Sequence, residues 1–114
     1  MTESGSDLMP GAAAIPPTVA HALSEKNFQQ QVVDLSAALG WTHFHNLHAR
    51  GSDAGWPDLV LCRPPELLIV ELKREAGELS TAQRQWLQRL EMCGVEVHVW
   101  KPSDFPAIVE RLKR

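Results

Sequence analysis

The chain has 114 residues, of which 44% are hydrophobic and 22% charged, a mixture typical of one small globular domain. Its formal net charge of −3 excludes a protein that coats nucleic acid through bulk positive charge. It does not exclude a nuclease, because acidic side chains can be metal ligands while local cations can still meet phosphates, among them Arg50, Arg74, Arg84 and Lys101. A domain this small buries a limited share of its surface, so we expect a homodimer.

The N-terminal region lacks a basic segment, and its apolar run over residues 12–15 is closed by Pro16 and Pro17. We therefore expect neither a secretion signal nor a membrane span. Cys62 and Cys93 fall inside apolar patterns without a CxxC pair, and we interpret both as reduced core thiols. These features predict a protein of the reducing cytoplasm.

In chain order, residues 1–23 are rich in Gly, Pro, Ser and Ala and lack periodicity. We predict a flexible lead-in there, followed by one domain over residues 24–114. Ser24 is suited to cap a first helix, Phe28 begins an apolar stripe at helical spacing, and Gly40 is placed to end it.

Three strands are predicted next, over residues 41–46, 58–62 and 67–73. A loop over residues 48–56 separates the first two, and a turn at residues 64–66 makes the last two a hairpin. The apolar block LLIV in the third strand indicates a central strand that is covered on both faces.

A capping box between Ser80 and Gln83 begins the second helix, which Gly94 ends. A fourth strand follows over residues 95–100, and we expect Ser103 to cap a last helix. The helical crossover predicts that the third and fourth strands are parallel after an antiparallel start. The predicted fold class is α/β, with a mixed central sheet flanked by helices.

Three charged residues lie at the ends of two of these strands. Glu71 and Lys73 are two apart, so both side chains leave the same face, and the hairpin brings Asp58 close to Glu71. Two neighbouring carboxylates repel each other unless a divalent cation sits between them, and oxygen ligands suit Mg²⁺ or Mn²⁺. The sequence therefore predicts a Mg²⁺ or Mn²⁺ site; the alternative is a loop-end carboxylate beside a surface Glu–Lys pair.

The pattern Gly55-Trp56-Pro57-Asp58, followed by Glu71-Leu72-Lys73, resembles the VRR-NUC branch of the PD-(D/E)xK nuclease superfamily. The likeness covers residues 24–112 and includes Glu25, Gly40-Trp41, His45, Arg50, Ser52, Leu79-Ser80, Gln83 and Trp86. It implies a restriction-endonuclease-like αβββαβα core and a metal-dependent endonuclease that hydrolyses DNA phosphodiester bonds. Stand-alone domains of this size resemble phage or bacterial enzymes. The resemblance thus implies the cytoplasm of a bacterial or phage-infected cell, a homodimer acting on branched DNA such as four-way junctions, and no small-molecule cofactor.

The resemblance also implies roles for individual residues. Asp58 and Glu71 bind the metal with help from the Leu72 carbonyl, and Glu25 is a further ligand, direct or through water. For Glu25 the alternative is an acid that is favourable at a helix N-terminus. Lys73 orients the attacking water and counters the charge that builds on the phosphate, with general-base action left open.

Four more residues are candidates for substrate contacts. Arg50 and Ser52 lie in the Gly-containing loop, where the alternative is simple solvation, and His45 ends a strand beside that loop, where packing is the alternative. Gln83 either faces the site or only closes the capping box. Two other functions stay open: a non-catalytic nucleic-acid-binding module of the same fold, and an RNA-cleaving nuclease.

Overall fold

The computed structural model describes residues 23–46 and 54–114. Its elements are α1 (Glu25–Ala38), β1 (Thr42–His45), β2 (Leu59–Arg63), β3 (Glu66–Leu72), α2 (Thr81–Met92), β4 (Glu96–Trp100), a 3₁₀ turn (Pro102–Asp104) and α3 (Phe105–Lys113). This is the predicted order of helix, three strands, helix, strand and helix. The predicted lead-in lies, apart from Leu23, outside the described residues. None of the described helices is long and apolar enough to cross a membrane.

The four strands form one sheet in the order β1-β2-β3-β4. The pairs β1–β2 and β2–β3 are antiparallel, whereas β3 and β4 are parallel because α2 carries the chain back across the sheet. The predicted α/β class with a mixed sheet flanked by helices is confirmed. β3 is a central strand, and its residues 68–72 are all buried, as the apolar block predicts.

The main core lies between one face of the sheet and the helices α1 and α3. Its largest fully buried apolar members on the helices are Phe28, Ile108 and Leu112, which pack with Leu61 and Leu68 of the sheet. Fully burying a side chain of this kind stabilises the fold by about 1.5–3 kcal/mol. α2 covers the opposite face of the sheet, where its Leu87 is buried. The site described below lies beside α2, at one end of this sandwich.

The start of the last helix differs from the prediction. A 3₁₀ turn precedes α3, and the Asp104 carboxylate closes this turn by accepting a hydrogen bond from the Lys101 N–H at 2.9 Å. Ser103 instead donates its backbone N–H and its hydroxyl to the Glu75 carboxylate, at 2.9 and 2.7 Å. The prediction that Ser103 caps this helix was therefore wrong, because its hydroxyl has a partner 28 residues away.

The two cysteines are both free, and neither is fully buried. Cys62 on β2 is half-buried, whereas Cys93 is exposed. The interpretation of Cys93 as a core thiol was wrong because Cys93 is the C-terminal cap of α2, where the helix ends at the protein surface.

Candidate active site

The candidate site lies where β2 begins and β3 ends. Leu59 pairs with Val70 in the antiparallel ladder, so the next position toward the site brings Asp58 alongside Glu71. Asp58 precedes β2 by one residue, and its Oδ2 accepts a hydrogen bond of 2.9 Å from the Leu72 N–H. The Asp58 side chain thus takes the place of a backbone partner at this edge, and this contact fixes its position.

Glu71 is the most unusual residue of the core. It is only 1% exposed. Its Oε2 accepts a hydrogen bond of 2.9 Å from Gln83 Nε2 and lies 3.7 Å from Lys73 Nζ. Within the described part of the chain, its Oε1 is buried and has no hydrogen-bond partner. An unpartnered buried carboxylate oxygen is costly, and either a proton shared with the neighbouring Asp58 carboxylate or a bound cation would remove that cost.

The surroundings of Glu71 also disfavour its ionised form. Burial, and then the neighbouring Asp58 carboxylate, raise the pKa of Glu71 from 4.5 to about 8, while the charge on Lys73 opposes this shift. Desolvation and a like charge both disfavour the ionised form of a carboxyl group. A cation bound between the two carboxylates reverses both effects.

Gln83 joins the start of α2 to this carboxylate. Its Oε1 accepts from the Ser80 N–H at 2.8 Å, its own N–H donates to Ser80 Oγ at 3.1 Å, and its Nε2 donates to Glu71. One end of the amide therefore closes the capping box and the other faces Glu71, so capping is not its only role. The first turn of α2 consequently orients Glu71.

Glu25 lies in the first turn of α1. Its negative charge makes the smallest contribution to the raised pKa of Glu71, so it acts on that carboxyl group from a distance. Gln29 Nε2 donates to Glu25 Oε2 at 3.4 Å, and Gln29 Oε1 lies 3.2 Å from His45 Nε2. Since an amide oxygen only accepts, His45 Nε2 carries the proton in this contact. Burial lowers the pKa of His45, and the charge on Asp58 opposes that shift.

The bridging role of Gln29 was missed in the sequence. The available signal was its spacing of four residues from Glu25, which places the two side chains on one face of the helix. The contact with His45 joins residues 16 apart and required the fold.

Gly55 sets the loop before Asp58 against α2. Its φ of +84° is a left-handed conformation that side chains rarely adopt, and an added Cβ atom would lie 2.5 Å from the Ala82 carbonyl carbon. One residue further on, Trp56 packs edge-on against Trp86 of α2, with ring centroids 4.9 Å apart. This close approach requires glycine at position 55.

Comparison with protein-family models finds a match to the VRR-NUC domain over residues 12–103. The chain belongs to the VRR-NUC domain family. No match was found among curated proteins or solved structures. Family membership implies a nuclease module that binds nucleic acid, and Asp58, Glu71 and Lys73 lie inside the matched range. Assignment to the wider superfamily and to a phage or bacterial type stays a prediction.

The VRR-NUC site fits a divalent cation. Asp58 and Glu71 supply carboxylate oxygens, and the unpartnered Oε1 of Glu71 is a free donor atom. Within residues 23–46 and 54–114, no three His, Cys, Asp or Glu side chains are gathered to hold a metal by themselves. Mg²⁺ ordinarily takes one or two carboxylates and keeps several waters, so two carboxylates suffice. The ligand roles of the Leu72 carbonyl and of Glu25 stay predictions.

The remaining predicted contacts of this VRR-NUC site fall into two groups. Arg50 and Ser52 lie outside the described residues, and their contacts with substrate stay predictions. Gln83 donates a hydrogen bond to the Glu71 carboxylate, and His45 contacts Gln29, which donates to the Glu25 carboxylate. Their position agrees with a role near substrate, but their contacts with substrate also stay predictions.

Proposed function

We propose that the chain is a metal-dependent endonuclease that hydrolyses DNA phosphodiester bonds, with Asp58, Glu71 and Lys73 as its catalytic residues. The observation that carries the proposal is the buried, unpartnered Glu71 Oε1 in a VRR-NUC domain. A purely structural Glu–Lys pair does not explain it, because Lys73 and Gln83 both approach the other oxygen, Oε2.

The chain's own residues divide the work between them. Asp58 is oriented by the Leu72 N–H, and Glu71 by Gln83, so both carboxylates are held before a ligand arrives. When bound, Mg²⁺ or Mn²⁺ polarises the scissile phosphate and lowers the pKa of a water molecule. Lys73 has an ammonium group within 3.7 Å of Glu71 Oε2, from which it can orient water and stabilise the negative charge developing on the phosphate.

We further propose branched DNA, such as a four-way junction, as the preferred substrate and a homodimer as the active form. Two sites related by a dyad suit the cutting of two strands. Among the described strands β1 lies at an edge of the sheet and pairs with β2 alone, and its Phe44 is 62% exposed. An exposed edge of this kind can pair with another copy of the chain. Sedimentation analysis tests the dimer, and a concentration-independent monomer would contradict it.

The test of the reaction is a panel of labelled junction, flap, single-stranded and duplex DNA, with matching RNA, in Mg²⁺, Mn²⁺ or EDTA. We expect metal-dependent DNA cleavage that Asp58→Asn and Lys73→Ala abolish while circular dichroism shows an intact fold. Asp34→Asn is the matched control, because Asp34 is an exposed carboxylate of α1.

Each outcome of this panel has a distinct meaning. Absence of cleavage of every substrate refutes the enzyme, and cleavage of RNA alone refutes the choice of DNA. Equal rates on junction and linear duplex refute the preference for branched DNA. Cleavage that persists in Asp58→Asn shows that the reaction uses another site or a contaminant.

A further inference from the structure

A groove of about 410 Å³ opens beside Lys73. Besides Lys73, its basic lining residues are Arg84 of α2 and Lys101, which follows β4, and residues 76–79 form its rim. Because β4 lies on the side of β3 opposite to β2, the groove extends from Lys73 away from Asp58. It is continuous with the proposed active site and shares Lys73 with it, whereas Arg84 and Lys101 belong to the groove.

The groove is positive in a chain whose net charge is −3. Lys73 pairs with Glu71, but within the described residues neither Arg84 nor Lys101 has an acidic partner. Among the described residues that line the groove, Glu78 is the one acidic residue. Two cations without acidic partners therefore face the same open space, which favours an anionic ligand.

The walls of the groove are held in place by contacts behind them. Glu75 accepts hydrogen bonds from the N–H and the hydroxyl of Ser103, which ties the rim segment to the turn after Lys101. The Lys101 backbone N–H is itself bound by Asp104 at 2.9 Å, and the Gly77 N–H closes a turn with the Arg74 carbonyl at 2.9 Å. The groove thus needs little rearrangement to accept a ligand.

We propose that this groove binds a backbone phosphate of the nucleic acid strand, next to the phosphate that is cleaved, through Arg84 and Lys101. The inference rests on the proposed function for placing the scissile phosphate at Lys73. The Arg84 guanidinium offers several donors in a fork that matches phosphate oxygens, and the Lys101 ammonium adds a point charge. Such contacts position a strand without reading its bases, so this site serves any sequence.

The first test measures oligonucleotide binding by fluorescence anisotropy in EDTA, so that no cleavage occurs. We compare Arg84→Gln/Lys101→Gln with Arg89→Gln/Lys113→Gln, which makes the same change in net charge. Arg89 is exposed on the same helix but lies outside the groove, and Lys113 has a side chain that is 54% exposed. Circular dichroism establishes that both double variants are folded.

For the groove variant we expect binding weaker by roughly tenfold, as for lost hydrogen bonds to charged groups. The plot of log binding constant against log salt concentration has a negative slope. Its magnitude should decrease by about 0.7 for single strands and about 0.9 for duplex, which corresponds to the loss of one phosphate contact. The matched variant should bind within about twofold of wild type, because its cations lie outside the groove. Equal losses in the two double variants would overturn the inference.

The second test uses cleavable strands in which a neutral methylphosphonate replaces the phosphate on one side or the other of the scissile position. Wild type should show a raised KM for the substitution on one side only, and the groove variant should be insensitive to that substitution. Equal sensitivity on both sides in the two proteins would overturn the inference. Wild type that binds DNA in EDTA but never cleaves it would refute the nuclease and the placement next to a cleaved phosphate; phosphate binding by the groove would then be decided by the anisotropy comparison of the two double variants. Wild type that binds no oligonucleotide would refute the groove as a phosphate site.

Discussion

Replacing Gly55 by alanine should destabilise the fold and disturb the site together. The new Cβ atom would lie 2.5 Å from the carbonyl carbon of Ala82, 2.6 Å from its oxygen and 2.7 Å from the backbone nitrogen of Gln83. These are backbone atoms of the first turn of α2, so no side chain can rotate away and either this turn or the loop before Asp58 must shift. The first displacement would move the amide of Gln83 away from Glu71, and the second would move Asp58, so both disturb the site.

A second glycine separates the cost of the left-handed backbone conformation from the cost of the steric clash. Gly94 has a φ of +87°, close to the +84° of Gly55, but an added Cβ there meets nothing within 4 Å. Gly94→Ala should therefore cost only the left-handed conformation, about 1–2 kcal/mol. Gly55→Ala adds overpacking of about 1–3 kcal/mol, for a total of about 2–5 kcal/mol. The gain from a less flexible unfolded chain is shared by both variants and cancels in their difference.

Urea unfolding of the two variants beside wild type measures this difference. At a temperature where both variants are folded, Gly55→Ala should also lose more of the metal-dependent cleavage than Gly94→Ala. If the two variants lose the same free energy of unfolding, then the close approach of position 55 to α2 is not real. In that case the loop before Asp58 does not position α2.

Three further predictions concern charge and capping. Because the pKa of Glu71 is raised to about 8, the metal-free protein should lose stability as the pH rises from about 4.5 to 8, by up to about 1.4 kcal/mol per pH unit. Glu71→Gln should flatten this dependence of the free energy of unfolding on pH, measured by urea titration. An unchanged slope in the variant would refute the prediction. The hydrogen bond from Arg111 lowers the pKa of Glu96 to about 2, so the stabilising contribution of the Glu96 carboxylate is present above pH 4.5 and is lost as the pH falls toward 2. Glu96→Gln should therefore lower the urea midpoint at pH 7 more than at pH 3. Equal shifts at the two pH values would contradict this prediction. Ser80→Ala should cost about 1 kcal/mol of stability through the lost cap and should slow cleavage, because Gln83 is held less firmly. Ser24→Ala, at the cap of α1, should cost as much stability without slowing cleavage by this route. Equal slowing in both variants would count against a link between the Ser80 cap and the site.

The elements of this fold were predictable wherever their cause is local. The serine caps at the starts of α1 and α2 have the expected hydrogen bonds, and Gly40 and Gly94 end these helices in left-handed conformations. The apolar run of β3 correctly predicted its central place in the sheet. Ser103 misled the prediction because the residues around it form a 3₁₀ turn, and its hydroxyl contacts a distant carboxylate.

The residues of the candidate site and the proximity of Asp58 to Glu71 were predictable from the sequence, but the contacts of their side chains were not. The hairpin correctly brings Asp58 beside Glu71, because the register of two strands joined by a short turn is set by that turn and by the apolar alternation. The family resemblance pointed to the same residues. Neither could show which oxygen of Glu71 is unpartnered, since this depends on how α2 packs against the end of β3.

The amino-acid sequence was sufficient for the order of helices and strands, because caps, turns and periodic apolar residues act over a few positions along the chain. It was also sufficient for the VRR-NUC family, because the family pattern is carried by residues whose identity and order can be read from the sequence. The tertiary structure alone revealed the double role of Gln83, the bridge from Glu25 through Gln29 to His45, and the basic groove beside Lys73. These features join residues on different elements, and their distances depend on how the helices pack on the sheet.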